Sequence, residues 1–72
     1  MKRDVQIFSC KLIREASLEP KMLKRMLKIA GDDCELLALG ELVLDHELAD
    51  FETVQRLLDD TWDDVAEGGQ PP

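Results

Sequence analysis

Positive charge is almost missing from the second half of this 72-residue chain: from Asp32 to the end, Arg56 stands alone against thirteen Asp and Glu residues. Phosphate would be repelled along that half, which argues against direct contact with nucleic acid there. Histidine occurs once and cysteine twice, with no CxxC pair, so the usual zinc ligand sets cannot be assembled from spacing. No Gly-rich phosphate loop, catalytic-triad signature or alternating Asp run of a calcium loop is present. No apolar run approaches the roughly 18 residues needed to cross a bilayer. The apolar stretch from Val5 to Ile13 follows Asp4, is broken by Gln6, Ser9 and Lys11, and leads to no small-residue cleavage site, unlike an export signal. These absences predict a cytoplasmic, non-catalytic protein with no cofactor, no metal and no membrane partner.

What is present is a charge division. Met1 to Gly31 holds eight Lys and Arg against Asp4, Glu15 and Glu19, a net of +5; the remainder carries −12, giving −7 for the chain. Such a split governs partners and solubility rather than fold. Apolar residues make up 44% of the chain, enough for a globular domain. Residues 1–67 are expected to form one helical domain, with a disordered tail at 68–72 where Gly68, Gly69, Pro71 and Pro72 cluster. A chain this short buries only about 60% of the surface it exposes when unfolded, so a second copy or a larger partner is a natural source of stability.

Periodicity divides the domain into four segments and predicts an all-α bundle of three or four short helices. From Asp4 to Ala16, helical spacing aligns Val5, Phe8, Leu12, Ile13 and Ala16. Strand spacing instead aligns Phe8, Cys10 and Leu12; helix is favoured because nothing downstream reads as a partner strand. Pro20 suits the first turn of a second helix, with Ser17 or Glu19 as cap, and Gly31 ends it. Asp32 and Glu35 have capping-box spacing for a third helix to Leu48. Its apolar side is Leu36, Leu37, Leu39, Val43, Leu44 and Leu48, and Gly40 would allow close approach of a neighbour. Asp50 is a good N-cap for a fourth helix from Phe51 to Ala66, with Phe51, Val54, Leu57, Leu58, Trp62 and Val65 as its apolar stripe.

Candidate binding residues follow from what helix stability does not explain. Glu52, Asp59, Asp60, Asp63, Asp64 and Glu67 crowd one helix; like charges four residues apart repel, and carboxylates near a helix C-terminus oppose its dipole. With Trp62 among them, and Leu42 as an exposed apolar contact on the third helix, they form a candidate patch for a larger protein with a basic surface. Lys21, Lys24, Arg25 and Lys28 form a basic face on the second helix, expected as a solvated face or as a partner for the acidic half within the bundle or in a homodimer. His46 beside Asp45 and Glu47 only superficially resembles a proton-transfer cluster, since sequence neighbours diverge on a helix. Cys10 and Cys34 are expected as half-buried free thiols, and Met22 and Met26 as core. The expected function is an adaptor or inhibitor that docks through the acidic, Trp-containing helix; the alternative is an acidic mimic of nucleic acid that blocks a DNA- or RNA-binding enzyme.

Overall fold

The computed structural model describes residues 2–31 and 33–68, with the side chains of 67 and 68 left aside. Four helices account for the regular structure: α1 (Arg3–Glu15), α2 (Pro20–Ala30), α3 (Leu36–Asp45) and α4 (Phe51–Gly68). There is no strand among the described residues. Of the tail expected at 68–72, Gly68 is instead the last residue of α4, and residues 69–72 lie outside the described residues.

The strand alternative for the first segment is thereby excluded. As a helix, α1 satisfies its own backbone groups, whereas a lone strand would leave them unpaired. It places Val5, Phe8 and Leu12 on one face, all completely buried. Ile13, expected on that face, stands at its exposed edge instead. Ser9 enters the core because its Oγ donates to the Val5 carbonyl (2.7 Å). The chain leaves α1 through Ser17, a non-glycine residue at φ 56, and Leu18 then tucks into the core while its N–H donates to the Leu12 carbonyl (3.1 Å).

The bounds expected for α2 are met at both ends. Pro20 lies in the first turn and Gly31, at φ 92, terminates the helix. Neither Ser17 nor Glu19 supplies a cap: Glu19 holds the N-cap position without a side-chain bond. Met26 is buried and Met22 packs partly against the core, as core-filling methionines should.

The third helix is shorter than its sequence suggests. It starts at Leu36, after an extended Glu35, with no side-chain cap. Glu35 is itself the N-cap residue rather than the third helical position, so it cannot be the reciprocal partner of a capping box, and it accepts a bond from Lys2 Nζ (3.0 Å) 33 residues away; Asp32 lies outside the described residues. At the other end, Glu47 takes a left-handed conformation (φ 54). Its N–H donates to the Leu44 carbonyl and the Leu48 N–H to the Val43 carbonyl, both at 3.0 Å. This paired closure is a Schellman motif, which ends α3 at Asp45 and still delivers Leu48 to the core.

α4 begins as expected, the Thr53 N–H donating to Asp50 Oδ1 (2.9 Å). Hydrogen bonds from Thr53, hydroxyl and backbone, hold the Asp50 carboxyl below its ordinary pKa. In the packed bundle α4 lies against α1 and α3, α1 also touches α3, and α2 lies against α3. A methyl added at Gly40 would stand 3.5 Å from Leu58 Cδ1 and 3.6 Å from Val54 Cγ1, which are ordinary contacts. Gly40 therefore faces α4 as expected, but the approach is not so close that only glycine fits.

Candidate functional site

The inner seam of α4 is Val54, Leu57, Leu58 and Thr61, all buried. Thr61 takes the position that hydrophobicity alone assigned to Trp62. It is fully buried and its hydroxyl donates to the Leu57 carbonyl (2.7 Å), so the polar group is satisfied locally and its methyl packs inward. Phe51 and Trp62, expected in the core stripe, stand 66% and 43% exposed. They sit at the edge of that stripe, eleven residues or about 16 Å apart along the axis. Helical repetition sets Phe51, Gln55, Leu58 and Trp62 along a single ridge.

The acidic residues divide between two sides of α4. Asp64 turns toward α1, where Lys11 Nζ meets its Oδ2 at 2.8 Å, and the half-buried Asp60 contributes to the field around that lysine. The bond to Asp64 raises the pKa of Lys11. Arg56 reaches Glu15 of α1 at 3.9 Å. Glu52, Asp59 and Asp63 are exposed and join no ion pair among the described residues. Glu67 lies in the last turn of α4.

On α3, two leucines exchange the places expected for them. Leu42 is half-buried and packs against the core, so it is not the exposed contact its polar neighbours suggested; Leu37 is the one that stands out, 57% exposed. The cause is the line of contact with α4, which runs through Gly40. Leu37 and Leu44 lie three residues before and four after Gly40, and so flank that line. Thr61 on the inner face of α4 and Gly40 where α3 meets α4 were the available sequence signals that the large residues would sit at the rim.

Lys21, Lys24, Arg25 and Lys28 are all exposed on α2. They form a solvated face, and pairing with the acidic helix within the bundle is absent: among the described residues none of them forms an ion pair, because α2 lies mainly against α3 while Lys11, which reaches Asp64, and Glu15, which meets Arg56, belong to α1.

Other chemistry finds little support in position. His46 is exposed at the C-cap of α3, its N–H donating to the Leu42 carbonyl. Cys34 is buried and Cys10 exposed, both as free thiols, which corrects the expectation that each would be half-buried. An open cleft of about 280 Å³ is lined by Gln6, Ile7, Cys10, Lys11, Arg14 and Asp64, so its floor includes the Lys11–Asp64 pair and no histidine. Among the described residues, no three His, Cys, Asp or Glu side chains are grouped to hold a metal ion, and no helix is long and apolar enough to cross a membrane. No protein-family model, curated protein or solved structure matches the chain.

Proposed function

We propose that this protein is a non-catalytic adaptor or inhibitor that docks on a larger protein through the outer side of α4. The observation that carries the reading is the placement of two of the chain's three aromatic residues, Phe51 and Trp62, on the solvent side of one helix beside Asp59 and Asp63. A small domain gains little by leaving its largest apolar side chains in water, and aromatic anchors with a polar rim are where binding energy concentrates. The unpaired carboxylates then supply orientation and association rate more than affinity. A mimic of nucleic acid would need the carboxylate row but not the aromatic edge, which favours the protein-docking reading.

Immobilised protein exposed to nuclease-treated lysate of the cells that make it, washed at low and high salt, tests this. The expected result is one stoichiometric protein that survives high salt and is lost from an Asp59→Lys/Asp63→Lys variant. A set of nucleic-acid-binding proteins, all released by added duplex DNA, would replace the reading with phosphate mimicry. Identical capture by the charge-reversed variant would reduce the acidic face to solvation.

A further inference from the structure

Resting on that reading, we infer that the seam between α3 and α4 is a groove for a cationic amphipathic helix about three turns long, contributed by the partner protein. Gly40 lets Leu58 and Val54 of α4 pack directly over the α3 backbone, and this buried contact is the floor of the groove. Phe51, Leu58 and Trp62 line the α4 side, and Leu37 and Leu44 lie on the Gly40 side of α3. Leu44 and Phe51 both lie close to the short loop His46–Asp50 that joins the two helices, and Leu37 and Trp62 both lie away from it. The groove therefore has an apolar residue on each helix at both of its ends, with Phe51 and Leu37 largely and Trp62 partly in solvent. Its length, about 16 Å from Phe51 to Trp62, matches a ligand helix of about eleven residues.

Charge selects the occupant. Glu41 on α3 and Glu52 and Asp59 on α4 are exposed next to the lining residues, with Asp63 further round the outer side of α4, and none has a cation of its own among the described residues. The carboxylate paired with α1, Asp64, lies on the far side of α4. An apolar floor between two acidic edges is complementary to a helix with apolar residues on one face and Lys or Arg on its flanks. A second copy of this chain is a poorer fit, because α2, its cationic helix, has already spent Leu23 and Met26 on its own core.

The probe is a synthetic helical peptide of Leu and Lys, with leucines three and four residues apart and no tryptophan. Trp62 is the only tryptophan in the protein, so its emission reports on the groove directly. Titration is expected to give a saturable blue shift, and a peptide with Glu in place of Lys none. Leu37→Asp is expected to weaken binding about tenfold or more. That variant should fold, since Leu37 is exposed in the first turn of α3, where an aspartate suits the helix dipole. Phe51→Ser, at a still more exposed position, is the second variant, with far-UV circular dichroism as the check on both. Absence of a blue shift, or binding that neither variant alters, would overturn the groove. So would a blue shift that grows with protein concentration alone, which would mean that a second copy covers the seam. None of these three results touches the lysate capture and its charge-reversed variant, so the groove can fail while the docking role stands.

Discussion

α2 and α4 carry the same kind of amphipathic pattern with opposite charge, yet they place their apolar residues differently. α2 meets the bundle mainly through its packing on α3, and it buries Leu23 and Met26 and partly covers Met22, Leu27 and Ala30, leaving Ile29 outside. α4 has two neighbours, α1 and α3, and still leaves Phe51 and Trp62 in solvent. The difference lies in where each stripe is centred. In α2 the middle of the stripe is large and apolar. In α4 it passes through Thr61, which satisfies its own hydroxyl and lets the seam settle on smaller side chains. A wide apolar stripe thus exceeds what the neighbours can cover, and the excess is aromatic.

The largest effect should come from emptying the seam. Leu57→Ala, at a fully buried position, is expected to cost about 2–5 kcal/mol, whereas Phe51→Ala should stay within about 0.5 kcal/mol. Urea denaturation followed by circular dichroism measures both, and equal losses would mean that the aromatic edge is structural after all. Next is Gly40→Ala, expected to stabilise by about 0.5–1 kcal/mol, because alanine is the better helix former and its methyl finds ordinary contacts at 3.5 Å. Destabilisation there would mean that the α3–α4 approach is tighter than those contacts imply. Thr61→Val should change stability by less than about 1 kcal/mol, since the Leu57 carbonyl keeps its helical partner when the hydroxyl is removed.

The smallest effect separates the two helix starts by pH. α2 begins with Pro20 and no side-chain cap, while α4 begins with the titratable Asp50. The folded pKa of Asp50 is depressed, so its contribution is complete above the ordinary aspartate value of about 3.9 and is lost as pH falls through the lower folded value. Asp50→Asn keeps a capping side chain without that titration. Its acid unfolding curve should therefore lose a small part of its steepness below about pH 4; an unchanged curve would remove Asp50 from the acid response.

α2 was readable from its sequence end to end because Pro20 and Gly31 act locally, through backbone constraints within one turn. α1 was readable as a helix by the same logic, once a partner strand was lacking. What could not be read were choices made at a distance. Glu35 looks like half of a capping box, and only the fold brings Lys2 to it. Asp64 and Asp60 look like the rest of the acidic row, and only the packing of α1 sets Lys11 beside them. Leu37 and Leu42 differ little as residues; the line of contact through Gly40 decides which one faces water. The acidic surface was therefore evident in composition, while its division into a paired side and an unpaired side, and its apolar border, belong to tertiary structure.

The packing of α1 on α4 has a consequence in time. Of the four helices α1 is synthesised first, and α4, with which it makes its most extensive packing, last. Val5, Phe8 and Leu12 therefore have no complete cover while the chain is emerging, and an amino-terminal fragment has no core of its own to rest on. Folding should consequently be a single late event, in which the last helix closes over the first, rather than a helix-by-helix accumulation along the growing polypeptide.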